Sequence, residues 1–191
     1  MDLHNTNFSS KLISTNLVLR KLTDEDANDL YSIYSNEESA KFDDWNPMEN
    51  LNEAKELIDK SITNFNNKSE LRYGIVDLLR GKFVGSCGAF AFDEWNKKCM
   101  IFYQIHHDER NKGYATTAIE ILIKYIFNEL AANRIEAYIT PGNDASVRVL
   151  EKNGFIKEGI LREMEFYKDR FWDGIVMAIL RKNYDKFITE E

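Results

Sequence analysis

The 191-residue sequence has no excess of positive charge, no long apolar run and only two cysteines. Its net charge of −7 argues against a nucleic-acid-binding protein, because such proteins rely on basic side chains that contact phosphates. No run approaches the length of about 18 apolar residues that a membrane-spanning helix needs. The opening MDLHNTNFSS lacks the basic and apolar regions of a signal peptide. We therefore expect a cytoplasmic protein that contacts neither nucleic acid nor a membrane.

The two cysteines, Cys87 and Cys99, lie in apolar, strand-like stretches and do not have the spacing of a metal site. We expect buried thiols in a reducing compartment, and no metal. The length and the apolar content of 43% suit a single domain over residues 1–191. Its core is expected at about 12–182, with the polar residues 1–11 frayed.

Short apolar strands and amphipathic helices alternate along the chain, with possible helix N-caps at Thr23, Asn50 and Asn143. Strands are predicted at about Leu17–Arg20, Leu71–Asp77, Lys82–Phe92, Cys99–Ile105, Arg134–Thr140, Phe155–Tyr167 and Trp172–Leu180. Helices are predicted at about Asp24–Ser35, Leu51–Phe65, Ala115–Phe127 and Asn143–Asn153. This order predicts an α+β fold with a mixed sheet.

A strand, a polar loop and a long helix follow one another between Met100 and Phe127. The first N–H groups of a helix have no partner within the helix, and the helix dipole adds positive charge there. Gly113 at this junction would let a phosphate approach the backbone, and Arg110 and Lys112 add charge to the loop. The junction therefore predicts an anion site, although a plain strand-to-helix turn with solvated bases has the same pattern.

The spacing Arg110-x-x-Gly113-x-Ala115 resembles the pattern R/Q-x-x-G-x-G/A of the GNAT family of N-acetyltransferases. The stretch from Asn143 to Phe155 matches N-x-x-S-x-x-V-L-E-K-x-G-F, as in the subgroup of ribosomal-protein N-terminal acetyltransferases of the RimJ/RimL type. Further likenesses to that subgroup are LVLRKLTDEDANDLY, the WNP loop, RIEA, GILRE and a late WD. The resemblance covers nearly the whole chain.

The resemblance implies a GNAT-like fold, that of the acyl-CoA N-acyltransferases. Such a fold has a mixed, mostly antiparallel sheet of six to seven strands with helices on both faces. The sheet is split between strands 4 and 5, which would here be Cys99–Ile105 and Arg134–Thr140. Acetyl-CoA, the acetyl donor, lies in that split in the family.

The resemblance also implies the binding residues. The pantetheine arm would pair with main chain near Ile105 and His106, and it would accept a hydrogen bond from Asn143. The proposed catalytic residue, Ser146, would lie near the thiol. The pyrophosphate would lie on a loop that the side chain of Arg110 assists. The residues expected to supply its amides are Asn111, Lys112, Gly113, Tyr114, Ala115 and Thr116.

Two catalytic groups of the family are missing. Leu150 occupies the place of a tyrosine that many members use as the acid. Met100 occupies the place of a glutamate that the RimJ/RimL-like subgroup often has as the base. Substitute bases are Glu163, Glu165, Asp173, His106 and His107, or the proton leaves through water. A group of acids near the expected acceptor side would suit a cationic amine: Asp43, Asp44, Glu49 and Glu53.

The favoured function is an acetyl-CoA-dependent N-acetyltransferase, monomeric or homodimeric, that acetylates a primary amine. The resemblance favours a peptide N-terminal amine as the acceptor, with a polyamine or another small amine as the alternatives. The missing tyrosine weakens the polyamine option, because polyamine enzymes of this fold tend to use it. A non-catalytic acyl-CoA-binding module and an unrelated nucleotide-binding protein are the alternatives.

Overall fold

The structure, a computed structural model, describes residues 1, 3 and 6–187, with side chains up to residue 185. Its strands are β1 (Lys11–Ile13), β2 (Leu17–Lys21), β3 (Glu70–Asp77), β4 (Lys82–Asp93), β5 (Lys98–Ile105), β6 (Arg134–Ile139), β7 (Ile156–Tyr167) and β8 (Arg170–Leu180). Its α-helices are α1 (Ala27–Tyr34), α2 (Leu51–Asn66), α3 (Tyr114–Asn128), α4 (Asp144–Lys152) and α5 (Arg181–Phe187). Single 3-10 turns, Asp24–Asp26 and His107–Glu109, precede α1 and α3.

All the described strands belong to one sheet in the order β1-β2-β3-β4-β5-β6-β8-β7. Every neighbouring pair is antiparallel except β5 and β6, which are parallel. The expected mixed, mostly antiparallel sheet is therefore confirmed, with eight strands instead of six to seven. The added strand is β1, whose three residues pair with β2 and are too few to show an alternating pattern in the sequence.

The sheet parts between β5 and β6. Only Lys98 to Met100 of β5 pair with Arg134 to Glu136 of β6, and neither strand is paired with the other beyond that point. These are the segments between which the split was expected, numbered 5 and 6 here because of β1. The parting leaves the ends of two parallel strands facing a gap.

Helices cover both faces of the sheet. The predicted face of α3 is buried in the main core, with Ala118, Ile119, Leu122 and Ile126 fully shielded from solvent. Burying such an aliphatic side chain stabilises a fold by about 1.5–3 kcal/mol. On the other face, α1 and α2 form a second apolar cluster with Leu22 and Phe83. The core thus holds the start of α3 fixed relative to β5.

The prediction that residues 1–11 are frayed is wrong for the described part of that segment. Phe8 is buried, and its ring lies 5.6 Å from those of Phe65 and Phe92. The Tyr73 hydroxyl donates to the main-chain oxygen of Ser9 at 2.6 Å. A lone aromatic residue in a polar segment has no periodic neighbours, so its burial cannot be read from a pattern.

Several local predictions are confirmed. Asn50 Oδ1 accepts from the amide of Asn52 at 3.0 Å and caps α2, and Cys87 and Cys99 are buried free thiols. The helix expected from Asp24 starts as a 3-10 turn, where Asp26 accepts from the amide of Thr23 at 2.8 Å. Across the described residues, no helix has the length and apolar character needed to cross a membrane.

Candidate active site

A cavity of about 580 Å³ opens where β5 and β6 part. Four segments form its walls: the end of β5 from Tyr103 to Ile105, the loop and first turn of α3, one side of α4, and the loop at 38–43 after α1. The end of β5, an anion-type loop, α4 and a loop rich in polar groups therefore surround one space.

The loop before α3 has the geometry of an anion site. Asn111 and Gly113 have φ of +63° and +85°, and Gly113 is the residue that precedes the first turn of α3. No side chain caps this helix, and its first turn contains no acid. A Cβ on Gly113 would meet no atom within 4 Å, so the space above the loop is open. The amides of Tyr114, Ala115 and Thr116 precede the first helical hydrogen bond and are free to bind an anion.

Ion pairs behind the loop fix its shape. Glu109 is 3% exposed and accepts from Arg80 and Lys82 at 2.7 Å each and from Lys112 at 3.0 Å. Arg80, followed by Lys82 and Lys112, holds the pKa of Glu109 well below its usual range. The Tyr114 hydroxyl donates to Asp77 at 2.5 Å, which ties the first residue of α3 to β3. Sequence analysis missed this network.

The Arg110 side chain extends from the anion loop to the loop at 38–43. Its Nη2 donates to Ser39 Oγ at 2.7 Å, and its side chain is half-buried. The residue therefore links the anion loop to the loop at 38–43, while its charge still lines the cavity.

Asn143 and Ser146 form the first turn of α4. Asn143 Oδ1 accepts from the amide of Ser146 at 3.2 Å, which leaves the Asn143 amide NH₂ to face the cavity. The Ser146 hydroxyl has no hydrogen-bond partner within the described residues, and its carbonyl accepts from the Tyr103 hydroxyl at 3.1 Å. Leu150, one turn on, is fully buried. The Ser146 hydroxyl is thus not used to satisfy the helix backbone.

Most of the residues predicted to bind acetyl-CoA line this cavity, and two do not. Those that line it are Ile105, Arg110, Asn111, Gly113, Tyr114, Ala115, Thr116, Asn143 and Ser146. His106 is turned away, with Nε2 2.9 Å from Ser32 Oγ. Lys112 donates to Asp108 and Glu109 on the outer side of the loop.

His106, His107 and Asp108 bring possible metal-ligand atoms within 4.8 Å of one another. Both nitrogens of His106 already have partners, because Nδ1 accepts from the amide of Asp108 at 3.2 Å and Nε2 contacts Ser32. This group therefore has no free His106 nitrogen for a metal ion.

None of the substitute bases named from the sequence lines the cavity: Glu163, Glu165, Asp173, His106 and His107. Met100 lies at the last position of β5 that is paired with β6, opposite Glu136. The Glu136 carboxylate is buried but already paired with Arg134 at 2.6 Å and Lys98 at 3.5 Å. It is therefore engaged in ion pairs and does not line the cavity.

Asp43 lines the cavity from the loop at 38–43, as does the exposed Glu38 of the same loop. Asp43 Oδ2 accepts from Gln104 Nε2 at 3.1 Å. Burial, with the charge of Asp44, raises the pKa of Asp43 to about 6. The sequence shows it only as one acid among four, because its distinctive feature is burial by distant residues.

Two further cations line the cavity from α4. Arg148 and Lys152 are exposed, and neither forms a salt bridge within the described part of the chain. They lie four residues apart and therefore share a helix face. That spacing is the signal by which they could have been found.

Comparison with known proteins identifies the family. Residues 16–156 match the profile described as "Acetyltransferase (GNAT) domain". The chain is 32% identical over 174 residues to "Uncharacterized N-acetyltransferase p20" of Bacillus licheniformis, covering 91% of this chain and 97% of that one. It is 31% identical over 108 residues to YdaF of Bacillus subtilis, provisionally named a ribosomal N-acetyltransferase, covering 56% of this chain and 59% of that one.

The fold has solved relatives. The spermidine N-acetyltransferase of Vibrio cholerae, solved in complex with CoA and spermine, superposes with a TM-score of 0.78. It is 24% identical, and the match covers 90% of this chain and 99% of that one. The parted sheet, the anion loop and these matches lead to one conclusion: this chain belongs to the GNAT family of acetyltransferases and is an acetyl-CoA-dependent N-acetyltransferase.

Proposed function

We propose that this acetyltransferase holds its donor across the parted strands and acetylates a primary amine, with a peptide N-terminal amine as the first candidate acceptor. The proposal rests on one observation: the anion loop, Ser146 and the end of β5 that is unpaired with β6 all line the same cavity. The donor needs an anion site and an extended polar groove, and both open into this space.

The donor's polar groups match the groups that line the cavity. The amides of Tyr114, Ala115 and Thr116 suit a pyrophosphate, since free helix N-terminal amides bind phosphate oxygens. Arg110, Arg148 and Lys152 add positive charge around them. The NH₂ group of Asn143 and the free edge of β5 near Ile105 suit the amide groups of a pantetheine arm.

Ser146 is the proposed aid to the leaving thiolate. Its hydroxyl is free, it lies one turn from Asn143, and Leu150 offers no proton. Tyr103 also lines the cavity, but burial raises its pKa to about 12 and its proton is engaged by the Ser146 carbonyl. A hydrogen bond to the departing sulfur would lower the energy of the transition state more than that of the bound donor.

The acceptor assignment follows the resemblance to RimJ/RimL-type enzymes and the absence of a tyrosine at Leu150. A polyamine is the second candidate, because Asp43, Asp44 and Glu165 form a group of carboxylates. Burial, and then the charge of Asp44, raises the pKa values of both Asp43 and Glu165. A cluster of carboxylates would favour an acceptor with several positive charges.

A panel of amines tests these proposals. Thiol release from acetyl-CoA is measured with peptides of free and formylated N-termini, with spermidine and with simple alkylamines, beside calorimetric titrations of CoA and ATP. We expect tighter binding of CoA than of ATP, and release with free but not formylated peptides. Release with spermidine alone would favour the polyamine. CoA binding without release from any amine would reduce the chain to an acyl-CoA-binding module.

A further inference from the structure

Contacts from β5 and from the β7–β8 turn hold Asp43 and its loop at 38–43 in place. Gln104 Nε2 donates to Asp43 Oδ2 and to the Ser39 carbonyl, both at 3.1 Å. The Asp43 amide donates to the Ala40 carbonyl at 3.2 Å. Lys168, from the β7–β8 turn, donates to the main-chain oxygens of Ala40 and Asp43. The side chain is therefore positioned by β5 and its main chain by the hairpin, while Oδ1 has no hydrogen-bond partner within the described residues.

Charged and titratable groups face this carboxylate from each surrounding element. They are Asp44 in its own loop, Lys168 in the β7–β8 turn, Arg110 in the loop before α3, Tyr103 on β5 and Tyr167 on β7. Neither cation bonds to the carboxylate, because Lys168 donates to main-chain oxygens and Arg110 donates to Ser39. Asp43 thus differs from the ion-paired Glu109 and Glu136, because no cation contacts its carboxylate.

We propose that Asp43 is the general base that removes a proton from the acceptor ammonium. The proposal rests on the proposed function above, and its geometric basis is that Asp43, in the loop at 38–43, and Ser146, in α4, line the same cavity. An amine between them would lie with its nitrogen toward Asp43 Oδ1 and the thioester toward Ser146.

The protons and electrons balance as follows. The ammonium gives one proton to the Asp43 carboxylate, which later passes it to solvent. The neutral nitrogen then uses its lone pair to form the N–C bond with the thioester carbonyl carbon. The C–S bond breaks and its electron pair leaves with sulfur. The second nitrogen proton moves to that thiolate, by way of Ser146 or water, so the products are an amide, a thiol and one released proton.

The experiment compares the wild type with Asp43→Asn and Asp43→Glu, using the best amine of the panel. Asparagine keeps an oxygen for Gln104 but cannot take up the proton. General-base catalysis supplies about 10²–10⁴-fold, so we expect kcat of Asp43→Asn to fall by about a hundredfold or more. We expect wild-type kcat to rise through about pH 6 and then level off. In Asp43→Asn we expect that limb to be lost, and in Asp43→Glu we expect it to return.

Asp44→Asn is the matched control, because it removes the same charge from the neighbouring, exposed position. We expect a changed acceptor KM and a limb in kcat that is retained but moves to lower pH, because the charge of Asp44 raises the pKa of Asp43. CoA titration and a melting curve verify that Asp43→Asn is folded and binds its donor. An active wild type whose Asp43→Asn variant keeps its kcat and limb would overturn the assignment of Asp43 alone. A wild type without thiol release from any amine would overturn the proposed function, and the base with it.

Discussion

The two walls of the cavity are stabilised in different ways. Behind the anion loop, the buried Glu109 carboxylate is saturated by three cations, and the inner side of the loop presents bare amides. In the loop at 38–43, the cations bind main-chain and hydroxyl oxygens, and the Asp43 carboxylate has one amide donor. One wall therefore has its carboxylate paired with cations, and the other has a carboxylate that no cation contacts.

The difference matches two different tasks. A wall that binds an anion must hold its amides still, and ion pairs on the outer side rigidify it without competing for the ligand. A wall that exchanges a proton needs a carboxylate that no cation fixes in its charged form. The Asp43 variants test the second wall. Four further variants test the anion loop and Ser146, from the largest expected effect to the smallest.

Gly113→Val should have the largest effect, on donor binding. Valine is strained at the φ of +85°, and its side chain would fill the open space over the amides. Losing about two amide–phosphate hydrogen bonds, each worth roughly 1.5 kcal/mol, predicts a rise of about a hundredfold or more in the acetyl-CoA KM. Gly154→Val is the matched control, because φ there is +80° and Gly154, just after α4, does not line the cavity. Equal effects in both variants would refute the loop assignment.

Ser146→Ala should lower kcat by about ten- to a hundredfold, roughly 1.4–2.7 kcal/mol, with little change in the acetyl-CoA KM. The reason is that the free Ser146 hydroxyl acts only as charge builds on sulfur. Steady-state kinetics with a far-UV spectrum would check it, and Ser146→Cys should recover part of the rate. A folded alanine variant with full kcat would mean that water protonates the thiolate.

Glu109→Gln tests the outer side of the anion loop through stability. We expect a loss of about 1–2 kcal/mol at pH 7, below the value for a fully buried pair because the partner cations are about half exposed. The folded-state pKa of Glu109 is lowered, so this stabilisation is complete above its unfolded pKa of about 4.3 and is lost as pH falls. Urea unfolding at pH 7 and pH 3.5 would therefore show a difference that shrinks with acid. Glu56→Gln, at an exposed site on α2, should show no such difference.

Arg110→Ala should have the smallest effect, about 1 kcal/mol or roughly fivefold in the acetyl-CoA KM, because amides carry most of the anion site. Arg110 also bonds to Ser39, so Ser39→Ala distinguishes its charge from its link to the other wall. An unchanged KM in Ser39→Ala would assign the effect to charge. Lys124→Ala, exposed on α3 and away from the cavity, is the control for a lost cation.

The sequence predicted those parts of the site that lie in short contiguous stretches. The anion loop and the start of α4 each depend on local backbone conformation, which Gly113 and Asn143 impose on their neighbours. The split in the sheet was predicted as well, but through resemblance to a family and not through periodicity.

The rest depends on residues far apart in the chain. Arg80 lies 29 residues from Glu109, and Gln104 lies 61 residues from Asp43, so neither pair forms a sequence pattern. The same holds for the side chain of His106, which contacts Ser32, 74 residues away. The role of a titratable side chain depends on which distant groups surround it, and a single sequence does not give that.

The parting of β5 from β6 has a consequence for the protein's dynamics. From Ile101 onward, β5 has a ladder on its β4 side only, which makes it an edge strand in the middle of a sheet. Amides on such an edge exchange with solvent faster than those of a central strand. A donor that pairs with this edge would supply the hydrogen-bond partner that β5 lacks on this side. At a free concentration of a hundred times its dissociation constant, the donor would add about 2.7 kcal/mol to the free energy of unfolding. The supply of donor would then set the lifetime of the enzyme as well as its rate.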